Sequence, residues 1–143
     1  MSVIVTDDGF APDDFAAPIL PLDAAGGEEV ALDLPNTADP EGLRDRLGRI
    51  ALIRIAFPAF TDGRGFTLAR RLRLMGYAGR LRAHGPLIAD QYAMARRAGF
   101  DEVEIPDAIA ARQPEVQWRA RGDWRAHDYQ SRLRGVSPRD AAV

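Results

Sequence analysis

The stretch of this sequence best suited to chemistry is a short loop in which an acid and an arginine alternate with glycines. Thr61-Asp62-Gly63-Arg64-Gly65 stands between an apolar segment and a predicted helix. Glycines let a backbone approach a ligand closely, and the free N–H groups of a helix start favour an anion, which Arg64 can hold bidentately. The alternative is that Asp62 caps the helix while Arg64 pairs with a nearby acid. Position 68 is leucine, so the glycines are not a dinucleotide-binding fingerprint.

Further candidates lie at the end of a predicted strand. Arg82 stands near the strand end, and His84 and Gly85 follow in the adjoining loop. We expect Arg82 and Arg64 to converge at one edge of the sheet, where two guanidinium groups would clamp an oxyanion. His84 titrates near neutral pH and would act there as a proton donor, although a lone loop histidine is more often incidental.

Asp90 and Gln91 lie just past the first turn of the next predicted helix. Their side chains point about 100° apart on a helix, so one of them reaches the site while the other faces the core or solvent. The alternative is that Asp90 forms a structural ion pair with Arg54 or Arg82.

Residue types that the chain lacks exclude several chemistries. The sequence has no lysine and no cysteine, which excludes a lysine Schiff base, a Walker-type lysine, a thiol nucleophile, a disulfide and a cysteine-held cluster. Two histidines without cysteine predict no metal site, and neither an iron–sulfur cluster nor haem is expected. Redox chemistry would therefore need a bound flavin or the cofactor of another protein.

Charge is divided unevenly along the chain. Residues 1–43 carry ten acidic and no basic side chains, whereas residues 44–100 carry twelve arginines against three aspartates. The acidic segment either covers the basic surface within the same chain or leaves that surface open for an acidic partner. The net charge of −2 argues against a general nucleic-acid binder.

The hydrophobic pattern indicates an α/β fold. Four strands alternate with three helices, predicted at residues 30–34, 40–47, 49–57, 66–75, 77–83, 85–99 and 100–105 in turn. This β-α-β-α-β-α-β order implies right-handed crossovers and a small, mostly parallel four-stranded sheet. A fragment of a (β/α) barrel is the alternative. Ligands of such sheets bind beyond the carboxyl ends of the strands, here the loops 35–37, 58–65, 83–86 and 106–107.

Three parts are predicted along the chain. Residues 1–29 form an irregular acidic arm with short extended pieces at residues 2–5 and 18–22, residues 30–112 form the α/β domain, and residues 113–143 form a polar C-terminal extension. No apolar stretch is long enough to span a bilayer and no secretory signal is evident, so a cytoplasmic protein is expected.

Four motifs in combination resemble a known bacterial family. They are FPAFTDGRGF at residues 57–66, LRAHG at 81–85, DQ at 90–91 and RAGFD at 97–101. Together they resemble the family catalogued as domain of unknown function 934, described as oxidoreductases of sulfite reduction that are encoded beside assimilatory sulfate-reduction enzymes. The resemblance runs from Phe57 to about Glu104, and Tyr129-Gln130 matches a pair near which the family commonly ends. It implies that pathway, and the shared positions are Asp62, Gly63, Arg64, Gly65, Arg82, Gly85, Asp90 and Gln91.

Two functions follow as expectations. The first is an accessory protein of assimilatory sulfate and sulfite reduction that docks sulfite reductase or a ferredoxin-like electron carrier through its basic middle. The alternative is a small enzyme or sensor that binds sulfite, sulfate or a phosphosulfate at residues 61–65 with Arg64 and Arg82. A flavin-dependent redox subunit is a third. Because the chain has no intrinsic redox group and no nucleotide motif, whether it is itself an enzyme stays open.

Overall fold

A seven-stranded, mostly parallel sheet forms the centre of the protein. The computed structural model describes residues 2–22 and 30–127. Within them the strands are β1 (Ser2–Thr6), β2 (Gly9–Ala11), β3 (Leu20–Pro21), β4 (Ala31–Leu34), β5 (Leu52–Ala56), β6 (Arg80–His84) and β7 (Glu102–Pro106). Their order across the sheet is β2-β1-β7-β6-β5-β4-β3. The four predicted strands are β4 to β7, which pair in parallel as neighbours in chain order.

The predicted four-stranded sheet is too small because the two extended pieces that the sequence indicated in the N-terminal arm are strands of the same sheet. The arm supplies β1, which pairs antiparallel with both β7 and β2, and β3, which pairs in parallel with β4. Without β1, the ladder groups on one side of β7 would lack strand partners. β1 reads Ser-Val-Ile-Val-Thr, a β-branched run whose Val5 is completely buried.

The helices follow the predicted order with shifted boundaries. They are α1 (Arg64–Leu74), α2 (Tyr92–Ala98), α3 (Asp107–Arg112) and α4 (Glu115–Arg119), with 3₁₀ helices at Pro40–Arg49, Ala89–Gln91 and Trp124–His127. Asp39 caps the first 3₁₀ helix by accepting a hydrogen bond from the Glu41 N–H at 3.1 Å, and Pro40 begins it. The helix predicted from residue 85 begins later, because Gly85 and Pro86 belong to a turn and Ile88 is extended.

All crossovers between β4 and β7 run in the same direction, which places the helices on one face of the sheet. Leu32, Ile53, Leu81 and Val103 belong to that face and form a common core with α1, α2 and the first 3₁₀ helix. The strands of a (β/α) barrel are also neighbours in chain order, so β4 to β7 agree with the barrel-fragment alternative. The antiparallel β1 beside β7 departs from it.

Residues beyond the predicted domain also join the core. Trp118 of α4 is fully buried, and its ring meets that of Tyr92 edge-on at 6.3 Å between centroids. The Trp118 indole N–H donates to the carbonyl of Gln113 at 2.9 Å. The described part of the predicted C-terminal extension therefore packs against α2. Residues 128–143, including Tyr129-Gln130, lie outside the described part of the chain.

The sheet face opposite the helices carries a row of charges. Asp33, Arg54, Arg82 and Glu102 occupy matching register positions on β4, β5, β6 and β7. Arg54 binds Asp33 through two hydrogen bonds of 2.6 and 2.7 Å and Glu104 through a third of 2.9 Å. Cross-strand pairs of opposite charge thus replace an apolar layer on this face.

Arg82 lies within this row, and its side chain has no exposed surface. It donates to Glu102 at 2.6 Å and to Glu104 at 3.1 Å. Two further hydrogen bonds, of 3.0 and 3.1 Å, come from Arg82 to the carboxylate of Asp13 in the N-terminal arm. We refer to Asp13, Arg54, Arg82, Glu102 and Glu104 together with Asp33 as the charged network.

The acidic arm covers part of the basic middle of the chain. Besides the Asp13–Arg82 contact, Asp14 binds Arg80 at 2.5 Å, and Arg80 also binds Glu102 at 3.0 Å. At the turn after β1, Asp7 binds Arg96 at 3.2 Å. The arm therefore masks the arginines of β6 and one arginine of α2.

These contacts shift the titration of their members. The hydrogen bond from Arg82 holds the pKa of Asp13 below its usual 3.8. Burial works to raise the pKa of Glu104, but hydrogen bonds from Ser2 and Arg54 outweigh it and hold that pKa below the usual 4.5. Burial lowers the pKa of His84 below 6.5, and Glu104, whose Oε2 lies 3.7 Å from the imidazole Nε2, only partly opposes this.

Replacement of Arg82 by methionine is expected to lower the free energy of unfolding by about 3–5 kcal/mol, because it leaves buried carboxylates without their counter-charge. Urea-induced unfolding followed by circular dichroism measures the change. Arg44→Met is the control, since Arg44 pairs on the surface with Glu41, its one ion-pair partner among the described residues, and its loss should change stability little. Equal stability of the two variants would contradict a central role for Arg82.

Stability is expected to decrease in two stages as the pH is lowered. His84 is protonated more readily in the unfolded chain than in the folded chain. The free energy of unfolding therefore has its full value above the ordinary histidine pKa of 6.5 and decreases below it. A second decline starts below about pH 4.5, as protons compete with the hydrogen bonds of Glu104 and Asp13. Urea unfolding across this pH range measures both stages. His84→Gln should weaken the first and keep the second; an unchanged first stage would contradict the assignment to His84.

Candidate functional site

Two of the predicted site glycines pack around Phe57, which is buried at the end of β5. A Cβ on Gly65 would lie 2.4 Å from the Phe57 ring, and one on Gly85 would lie 2.1 Å from the Phe57 carbonyl oxygen. Gly85 also has a φ of +153°, a conformation that side chains rarely adopt. These glycines therefore let α1 and the β6 loop close tightly on the end of β5.

Asp62 and Arg64 bind each other. The Arg64 guanidinium donates two hydrogen bonds to the Asp62 carboxylate at 2.8 and 3.0 Å, and the Arg64 backbone N–H donates a longer one of 3.3 Å. The hydrogen bonding from the Arg64 guanidinium holds the pKa of Asp62 well below its usual range. The N-cap of α1 is Gly63, which has no side chain to cap the helix. The acid that pairs with Arg64 is thus Asp62 itself.

The guanidinium groups of Arg64 and Arg82 do not come together, so the prediction that they converge at one edge of the sheet is wrong. Arg82 points to the face opposite the helices, where the charged network occupies its donors. Arg64 lies at the start of α1 with 63% of its side chain exposed. The reason is strand alternation: Leu81 and Ala83 face the helical core, so Arg82 between them faces the other way.

Asp90, Gln91 and Thr61 have separate surroundings. Asp90 is exposed and binds Arg121, so its predicted pairing with Arg54 or Arg82 is wrong. The Gln91 amide donates to the carbonyl of Phe60 at 2.6 Å and accepts from the N–H of Ile88 at 3.1 Å. Gln91 therefore ties the loop after β5 to the start of α2. Thr61 is exposed in that loop.

One cavity opens on the charged face of the sheet, at the carboxyl ends of β4, β5 and β6. We call it the His84 cavity; its volume is about 690 Å³ and it is lined by Pro21, Leu22, Asp33, Leu34, Pro35, Arg54, Ala56 and His84. The charges of Arg54 and Asp33 already satisfy each other. The cavity thus presents apolar surface and an imidazole, without an unpaired charge.

A smaller cavity lies on the helical side, between the end of β4 and the start of α1. We call it the Asn36 cavity; its volume is about 250 Å³ and it is lined by Asn36, Thr37, Ala38, Arg64, Thr67, Leu68 and Arg71. Asn36 is 8% exposed, and its amide Nδ2 makes no hydrogen bond of acceptable geometry within the described residues. It lies near enough to Asp62 to help lower the pKa of that carboxyl. Most of the polar side chains around this cavity are hydrogen-bond donors or hydroxyls.

The outer faces of α1 and α2 form a third feature, which we call the α1/α2 surface. It consists of the exposed residues Arg70, Leu74, Met94 and Arg97. Neither α1 nor α2 contains an acidic residue. Two exposed arginines and two exposed apolar side chains therefore share these neighbouring helices.

Metal-binding clusters and membrane-spanning helices are both absent from residues 2–22 and 30–127, the ranges that the structure describes. No group of three or more histidine, aspartate or glutamate side chains is arranged to hold a metal ion there. No helix in the same ranges is long and apolar enough to cross a membrane.

The sequence interpretation missed the residues that bind Arg82 and those that accompany Arg64. A signal for the first set was present, since charges recur at every second position in Arg80-Leu81-Arg82-Ala83-His84 and in Glu102-Val103-Glu104. For the second set the loop at residues 35–37 was predicted at the correct edge. No pattern in that loop indicated that Asn36 would be buried beside Arg71.

Comparison with known proteins places the chain in a family. The model of the family described as Bacterial protein of unknown function (DUF934) matches residues 31–139. No curated protein matches the sequence. The matched region contains β4 to β7, the Asn36 cavity and the α1/α2 surface, and it extends on both sides of the motifs first noted at residues 57–101. The chain therefore belongs to this bacterial family, as its motifs predicted.

Proposed function

We propose that the protein is an accessory component of assimilatory sulfate and sulfite reduction that docks an acidic partner through the α1/α2 surface. The partner is sulfite reductase or a ferredoxin-like electron carrier. The pathway comes from the motif resemblance, and the docking role comes from the charge of the surface. The observation that carries the proposal is a pair of exposed arginines that form no ion pair with any residue the structure describes.

The structure divides the basic middle of the chain into a covered and an open part. Arg80, Arg82 and Arg96 bind aspartates of the N-terminal arm. Arg70 and Arg97 make no ion pair with any residue in the described ranges, and both are exposed. The described part of the acidic arm therefore leaves the α1/α2 surface available for a carboxylate-rich partner.

Apolar side chains within this surface support docking of a protein over binding of small ions. Leu74 is 81% exposed and Met94 is 49% exposed. Burial of such side chains against a partner is favourable, and methionine and arginine are both enriched in protein interfaces. Arginines around apolar anchors match the usual arrangement, in which charge guides the encounter and apolar contact prolongs it.

A docking role also agrees with the residue types available for chemistry. The chain has no cysteine, and none of its side chains is a stable electron acceptor. Electron transfer during sulfite reduction would therefore use the cofactors of the partner. The contribution of this chain would be to bind and orient that partner.

Simultaneous replacement of Arg70 and Arg97 by glutamate is expected to weaken partner binding at least about a hundredfold at low salt, because attraction becomes repulsion. The measurement is isothermal titration calorimetry with purified sulfite reductase and, separately, with the ferredoxin-like carrier. Binding of the unaltered protein should also weaken steeply when ionic strength rises from about 0.05 to 0.3 M, since exposed charges are then screened.

The matched control is the double replacement Arg49→Glu and Arg112→Glu. These arginines are exposed outside α1 and α2, and the change in net charge is identical. The control should retain most of its affinity, and thermal unfolding should show that both double variants are folded. Failure of both partners to bind, a salt-insensitive complex, or equal losses in the two variants would refute the proposal.

A further inference from the structure

We infer that the Asn36 cavity binds a small inorganic oxyanion of sulfate or phosphate type. The inference stands apart from the docking proposal, because the cavity shares no residue with the α1/α2 surface. It also differs from the site expected at residues 61–65. That site paired Arg64 with Arg82, whereas Arg71 and Asn36 line this cavity together with Arg64.

The first argument is the buried amide of Asn36. An N–H donor that is removed from water and left without an acceptor is unfavourable, so such groups usually have a partner. Asn36 is more than nine-tenths buried, lines the cavity and has no hydrogen bond to its Nδ2 among the described residues. The Asp62 carboxylate lies close enough for the amide to help lower its pKa, but its hydrogen bonds of good geometry come from Arg64, so the amide has no well-aligned acceptor within the described residues. An oxyanion in the cavity would supply one.

The second argument is the positive charge on the opposite wall. Arg64 uses Nε and Nη2 for Asp62, which leaves the hydrogens of Nη1 for a ligand. Arg71 lies 3.7 Å from the nearest oxygen of Asp39, beyond hydrogen-bond distance, so its fork of donors is also available. Guanidinium groups match the geometry of sulfate and phosphate oxygens well.

Helix α1 adds a weaker contribution. Its eleven residues begin after Gly63, which lacks a capping side chain, and its first turn contains no acid. The partial positive charge of the helix start is therefore not neutralised by the helix itself. Thr67, in the first turn, and Thr37, opposite it, contribute hydroxyl groups to the cavity.

Size and neighbouring charge narrow the ligand class. A volume of about 250 Å³ lies below the range of roughly 300–1,000 Å³ typical of pockets for larger organic ligands. Two carboxylates, Asp62 and Asp39, lie near the arginines and lower the positive potential of the cavity, so selectivity must come from the number of hydrogen bonds that an anion accepts. A compact dianion that accepts from several donors at once should compete best, so sulfate, sulfite and hydrogen phosphate are expected to bind more tightly than nitrate or chloride.

Asn36 is the only asparagine in the chain, which gives the test an unambiguous reporter. Selective ¹⁵N-asparagine labelling makes its side-chain amide a single pair of NMR signals. Titration with sodium sulfate, sulfite or phosphate, at ionic strength balanced with sodium chloride, should shift this pair in a saturable manner. Sodium nitrate should not.

Two adjacent arginines provide matched variants. Arg71→Gln should weaken oxyanion binding at least about tenfold, because it removes a fork of charged donors from the cavity. Arg70→Gln makes the same change in net charge one residue earlier, outside the cavity, and should leave the affinity within about twofold. Thr67→Val, which keeps the shape of the side chain, should weaken binding less than Arg71→Gln.

The result that would overturn the inference is a linear, non-saturating shift with all three oxyanions, or equal losses for Arg70→Gln and Arg71→Gln. Either would show only general attraction of anions to a basic protein. The failures of the two proposals are distinguishable: the Arg70→Glu, Arg97→Glu protein should lose its partner and still bind the oxyanion.

Discussion

The burial of the Arg82 guanidinium is the constraint on which the rest of this structure depends. A charge without solvent contact requires counter-charges within hydrogen-bond distance, and these come from Glu102 and Glu104 of β7 and from Asp13 of the N-terminal arm. The arm is therefore held against the sheet by electrostatic pairing as well as by the strand pairing of β1 and β3. One face of the sheet is apolar and packs against the helices, and the other carries the charged network, which Asp13 of the arm covers in part.

This division determines which arginines can serve a function. Those on the strands satisfy charges within the chain, so their number says little about external partners. On α1 and α2, in contrast, Arg70 and Arg97 form no ion pair within the described residues, and Arg64 and Arg71 are exposed beside Asp62 and Asp39. The two proposals use different members of this second group. Arg70 and Arg97 lie beside exposed apolar side chains and suit a protein surface, whereas Arg64 and Arg71 converge on a small cavity with a buried amide and suit an anion.

Much of the fold was predictable because its central strands are strongly apolar. Strand β5 and its neighbours appear as clear hydrophobic segments, and Asp39-Pro40 marks a helix start through local chemistry alone. The strands of the arm were not predictable to the same degree, since β3 has only two residues and exists through its pairing with β4. The site was predicted at the correct sheet edge but with the wrong partner for Arg64. Strand alternation would have placed Arg82 on the opposite face; the burial of Asn36, in contrast, depends on how α1 packs against the end of β4, which no local pattern specifies.

Strand β1 belongs to the folded sheet but lies outside the region that the family model matches. The family match begins at residue 31, whereas β1, β2 and β3 together with Asp13 all precede that point. A protein cut at the family boundary would expose one edge of β7 and open Arg82 to solvent on the side that Asp13 now covers. Its free ladder groups would be available to pair with another chain. In this chain, β1 therefore protects the edge of β7 from such pairing.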